Sequence, residues 1–143
     1  MPVGETRARE IPDEEAFKLW LELNTQRKVS QHLARKGIIN TATGNPYHPQ
    51  SVYQACIRYI LEHMSEARQM IIDSGREFAE DDERWLDYTV RKAYSCYSMS
   101  WRKFVEWMHR NNLKLRDYKY LYEDFYDILL GVYNRRYPDE KQE

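Results

Sequence analysis

Long apolar runs are missing from this chain: nothing in its 143 residues approaches the roughly 20 consecutive apolar positions of a membrane-spanning helix. No basic-then-apolar leader opens it either, so a soluble, cytoplasmic protein with no membrane partner is expected. Cysteine is scarce. Cys56 and Cys96 stand far apart in the sequence, and two reduced thiols are the expectation rather than a disulfide. Glycine and proline number five each and fall mostly between expected helices or at the ends, which suits an α-rich chain. Net charge is only -1, so the overall balance does not point to nucleic acid. Catalytic signatures are missing as well. His32, His48, His63 and His109 have neither i,i+4 nor cysteine-paired metal spacing. There is no P-loop, no glycine-rich phosphate cradle and no nucleophile elbow. The chain is therefore read as a non-enzyme without metal or cofactor.

Hydrophobic residues make up 42% of the chain, and four Trp, four Phe and twelve Tyr supply enough large apolar surface for a core without cross-links. Helical spacing dominates. Residues 1–11 lack periodicity and read as a loose arm. Asp13 suits a cap for a first helix carrying Ala16, Phe17, Trp20, Leu21 and Leu23 through Asn24. Thr25-Gln26 breaks it, and Val29, Leu33 and Ala34 mark a short second helix that Gly37 stops. A polar loop over 40–47 leads to Pro49, well suited to a first helical position. Val52, Ala55, Cys56, Tyr59, Ile60 and Met64 then recur at helical spacing. A continuation or kink is expected near Ser65, with an interruption at Asp73-Ser74-Gly75. The acidic run at 80–83 reads as a solvated helix start rather than a metal site. Further helices are expected from Trp85 to Tyr97, from Trp101 to Asn111, and from near Asp117 to Arg136. The expected architecture is all-α: an arm (1–11), a three-helix unit (12–64), a C-terminal helical unit (65–137) and a tail (138–143).

Charge is distributed unevenly along this frame. Between Asn24 and Leu61 lie Arg27, Lys28, Arg35, Lys36 and Arg58 and no acid, in a chain with 23 acids. A second basic stretch, 88–116, holds Arg91, Lys92, Arg102, Lys103, Arg110, Lys114 and Arg116 against Glu106 alone. A charged helix face is usually just solvated, and an ordinary helical hairpin is the competing reading of the first stretch.

The run from Val29 to Leu61 resembles the DNA-binding segment of large serine recombinases and resolvase-type helix-turn-helix proteins. Leu33, Gly37, Ile38, Thr41, Gly44, Pro49, Ser51, Val52, Ile60 and Leu61 carry the resemblance. The spacing from Val52 to Ile60-Leu61 is longer than in that family. The resemblance implies a module that lays its third helix in the major groove of duplex DNA. It does not imply recombination, which in that family belongs to a separate, larger α/β domain. A regulator, or the DNA-recognition component of a phage or mobile element, is the corresponding role.

On this reading Gln50, Ser51, Tyr53, Gln54 and Arg58 are the base-contact candidates, since Gln pairs with adenine, Arg with guanine and Ser with either. Arg27, Lys28, Arg35 and Lys36, with Thr41, Thr43 and Asn45 as neutral donors, are placed for phosphates. Arg91, Lys92, Arg102, Lys103 and Arg110 form a candidate second basic surface, on a degenerate second helix-turn-helix. The aromatic residues between 85 and 133 suit a core, a homodimer contact or a surface for a protein partner. An adaptor that binds protein through that half is the alternative function.

Overall fold

Capping chemistry sets where most of the helices begin and end. The computed structural model describes residues 11–76 and 78–143. Helix α1 spans Asp13–Leu23 and closes at Asn24 in the left-handed region, φ 72°. Helix α2 spans Gln26–Arg35, with the Thr25 side chain accepting from the Lys28 amide. Helix α3 spans Pro49–Glu62, with proline in the first turn. At His63 the backbone leaves helical geometry (φ -132°, ψ 52°), and α4 runs from Met64 to Asp73. Gly75, at φ 84°, turns the chain away. A short 3₁₀ turn over Phe78–Glu80 leads to α5, Asp82–Tyr97, whose first amides at Glu83 and Arg84 are accepted by Asp81 Oδ1. Helix α6, Trp101–Arg110, is capped by Ser100, and α7 spans Tyr126–Arg136. No strand occurs among the described residues, and the chain is all-α.

The chain divides into two compact units, one running to Trp85 and the other covering Leu86–Glu143. The first extends past residue 64, where the sequence reading closes the three-helix unit. In it, α1 packs on α3, and α2 packs against both. Phe17, Val29, Leu33, Val52, Ala55 and Ile60 are buried between them, and the Phe17 and Tyr59 rings stack at 4.9 Å. Cys56 is buried on α3, and burial pushes its thiol up to about 12. Two arginines fasten the later segments. Arg76 donates to the Trp20 carbonyl and the Asn24 side chain at the end of α1, with its guanidinium 4.2 Å from the Trp20 ring. Arg68 donates to the carbonyls of Ala79 and Glu80 and pairs with Asp82. The loose arm expected over 1–11 lies outside the described residues except for Ile11, which is buried.

The second unit is built on aromatic rings. Tyr94, Phe104 and Tyr122 meet with centroids 5.6–5.7 Å apart, and Trp107, Met108, Leu115 and Leu129 complete the interior. The Tyr122 hydroxyl donates to the Leu115 carbonyl at 2.5 Å, and burial pushes the phenol well above its ordinary range. Two expectations are corrected here. Residues 117–125 are not the start of a long helix but two 3₁₀ segments, Leu115–Leu121 and Glu123–Phe125, with non-helical backbone at Tyr118 and Tyr122. Apolar residues three apart, as Tyr118 and Leu121 or Tyr122 and Phe125 are, fit a 3₁₀ turn as well as an α-helix, and the Tyr122–Leu115 hydrogen bond spans the 3₁₀ segment. The second correction concerns 138–143, which do not form a free tail. Asn134 and Gln142 exchange side-chain-to-backbone hydrogen bonds of 3.0 and 2.8 Å, Gln142 Oε1 accepts from the Leu115 amide, and Tyr126 donates to the Glu143 carbonyl.

Asp87 on α5 accepts from the Tyr120 hydroxyl and from Arg91 Nε, and these two donors, Tyr120 first, hold its carboxyl below the ordinary range. Its folded pKa is thus below the unfolded one, so the stabilisation is present above the unfolded carboxylate range and is lost as pH falls through the folded value. Asp87→Asn is expected to lower stability at neutral pH by under about 1 kcal/mol, as for other half-exposed pairs. The gap should begin to close below about pH 4. Urea unfolding of both proteins across an acid pH series checks this, and a gap independent of pH refutes it.

Candidate nucleic-acid interface

The connection between α2 and α3 is fastened at each step. Ile38 N–H donates to Leu33 O and Gly37 N–H to Ala34 O, a Schellman stop with Gly37 at φ 84°. Residues 40–45 close on themselves: the Asn40 amide donates to the Asn45 carbonyl, the Gly44 amide to the Asn40 carbonyl, and the Ala42 amide to Asn40 Oδ1. Ser30, a buried polar residue on α2, donates its hydroxyl to the Tyr47 carbonyl and ties the loop exit to the helix. His48 then accepts from the Gln50 amide through Nδ1 at 3.0 Å. These contacts place the start of α3 firmly against α2.

Around α3, Gln50, Gln54, Arg58 and Ser51 fall within an arc of about 100°. Gln50 and Arg58 are exposed, Ser51 and Gln54 partly so. Further along, Ile57 and Leu61 are buried, so the polar face is widest over the first turns of the helix. Ser51, Gln54 and Arg58 line a groove of about 860 Å³ together with Tyr47 and, from the start of α1, Pro12 and Asp13. Gln50 and Tyr53 are outside that lining, and Tyr53 is half-buried on the flank of the helix.

On α2, Arg27, Lys28 and Arg35 share another arc of about 100° with Gln31. All four are exposed, and among the described residues the three cations have no acid partner. The other two cations of the stretch do have one. Arg58 donates from Nη2 to Asp13 Oδ1 at 3.0 Å and from Nε to both Asp13 oxygens at 3.2–3.3 Å, and Lys36 Nζ is 3.0 Å from Glu15 Oε2. The stretch without acids in sequence is thus not without acids in space. Asp13 does not cap α1, as the sequence reading had it; the helix has no side-chain cap, and the carboxylate turns to α3. Both pairs are half-exposed and stabilise the fold by about 0–1 kcal/mol each.

The loop donors differ among themselves. Thr43 spends its hydroxyl within the turn, donating to the Asn40 carbonyl and accepting from the Asn45 amide, which removes it as a free phosphate donor. Thr41 and Asn45 are exposed. In the second basic stretch, Arg91 pairs with Asp87 and Arg102 with Glu106, while Lys92 sits over the Tyr88 ring at 5.3 Å. Lys103 and Arg110 are exposed. Phe104 and Trp107 between them are buried, which makes them core residues rather than contacts. Sequence reasoning missed Asp13, Glu15, Ser30 and Tyr47 as parts of the site. Their partners lie 17 to 45 positions away along the chain, beyond any local pattern.

Among the described residues no three His, Cys, Asp or Glu side chains come together as a metal site, and no helix is long and apolar enough to cross a membrane. Compared with protein-family models, curated proteins and solved structures, the chain matches none of them.

Proposed function

We propose that this protein binds duplex DNA in a sequence-selective manner, with α3 in the major groove and α2 against the backbone. The observation that carries the reading is the pairing of two faces. α3 offers hydrogen-bonding side chains over its first turns, Gln50 exposed and Ser51 and Gln54 half-exposed, where recognition helices meet base edges, and α2 carries the cations Arg27, Lys28 and Arg35, which have no acid partner among the described residues. Lys36, Thr41 and Asn45 are secondary backbone contacts, and Gln50, Ser51, Tyr53 and Gln54 complete the base-contact set with Arg58. The role is that of a regulator or of the DNA-recognition component of a phage or mobile element, as the resemblance implies.

Fluorescence polarisation with labelled duplexes at two salt concentrations tests the reading. Binding that weakens steeply with salt supports it, and no binding to any duplex at low salt refutes it. Gln54→Ala is expected to cost about 1–3 kcal/mol of discrimination at one base position and to leave non-specific binding unchanged.

A second reading, an adaptor for a protein partner or a homodimer through residues 85–133, is favoured by the apolar side chains the second unit leaves in solvent. Ile128 is 51% exposed and Phe125 42%. Light scattering over a concentration series separates the two cases: a mass independent of concentration removes the homodimer.

A further inference from the structure

The Asp13–Arg58 pair joins the first turn of α1 to the outer face of α3, at a position where Arg58 shares the groove with Ser51 and Gln54. A guanidinium has five N–H donors in a rigid planar fork. Asp13 takes one edge of that fork, Nε and one hydrogen of Nη2. Among the described residues nothing else bonds to Arg58, which leaves both Nη1 hydrogens and the second Nη2 hydrogen available. One hydrogen from each terminal nitrogen then points away from Asp13 as a pair of parallel donors. Only one base edge in the major groove offers two adjacent acceptors to such a pair: guanine, through O6 and N7. Adenine sets a donor beside its N7, cytosine presents a donor, and thymine offers a single acceptor next to a methyl group.

Building on the duplex-DNA reading, we infer that Asp13 is a positioning residue that fixes Arg58 as a reader of guanine. Two features favour a base over a phosphate at this spot. The carboxylate offsets the charge of Arg58 and repels a phosphate, whereas a neutral base edge is indifferent to it. The other side chains of α3 in the groove, Ser51 and Gln54, are neutral and of base-reading type. Holding the long arginine side chain from the folded helix α1 also removes rotamers that binding would otherwise have to freeze.

The test selects bound sequences from a randomised duplex library with the full-length wild type, Arg58→Lys and Asp13→Asn, all first checked for unchanged helical content and melting temperature. Wild type should require guanine at one position by roughly tenfold to a hundredfold. Arg58→Lys, which keeps the charge but not the fork, should lose most of that preference. Asp13→Asn should weaken the preference at the same position and at no other. A wild type that binds no duplex refutes the DNA reading itself. A wild type that selects a site whose guanine preference survives Arg58→Lys leaves that reading standing and overturns the inference. Equal tightening of all duplexes by Asp13→Asn, with the preference intact, makes Asp13 an electrostatic screen and overturns it too.

Discussion

Replacing Arg27, Lys28 and Arg35 together by alanine is expected to weaken duplex binding by about a hundredfold at physiological salt and to spare sequence preference. The three share the exposed face of α2, and no acid offsets them among the described residues. Each phosphate contact lowers the slope of log affinity against log salt by about 0.9, so the triple variant should flatten that slope by roughly 2.7. Polarisation titrations between low and moderate salt measure both quantities. A lost affinity with an unchanged slope would mean that these cations do not meet phosphates. Lys36→Ala should have a smaller effect than any of the three, because Glu15 already engages its ammonium group.

The other large effect is on the fold that carries the site. Phe17 is fully buried on α1 with its ring stacked on Tyr59 of α3, so Phe17→Ala removes a large apolar contact between the two helices and leaves a cavity. The expected loss is about 3–5 kcal/mol, a large share of the roughly 5–15 kcal/mol of an ordinary domain. Urea unfolding should show it as a lowered midpoint, and duplex binding should fall in proportion to the folded fraction. Phe17→Leu, which keeps much of the volume, should be milder on both counts. Unchanged stability in Phe17→Ala would show that the α1–α3 contact contributes little.

Most of the helical frame was legible in the sequence because its signals are local. Gly37 stops α2, Pro49 opens α3, Ser100 caps α6, and the apolar spacing of Val52 to Ile60 describes a face that is buried. The parts that were not legible depend on distant partners. The chain from Tyr118 to Phe125 has a helical spacing of apolar residues, yet the hydrogen bond from Tyr122 to Leu115 and the non-helical backbone at Tyr118 go with 3₁₀ turns. Asn134 and Gln142 fix the last residues through bonds that leave no periodicity to read. The candidate site divides in the same way. The types and arc of Gln50, Ser51, Gln54 and Arg58 follow from helical geometry alone. That Asp13 would reach Arg58, or that Thr43 would spend its hydroxyl on its own turn, follows only from the folded chain.

The buried thiol of α3 has a practical use. Cys56 lies inside the three-helix unit, and with its thiol pushed up to about 12 it holds almost no thiolate at neutral pH, the form that alkylating reagents attack. Its modification therefore has to wait for the helices to part. The labelling rate of Cys56, followed by peptide mass spectrometry, becomes a clock for the opening of this unit. Duplex added before the reagent should slow that clock to the extent that it holds the folded state.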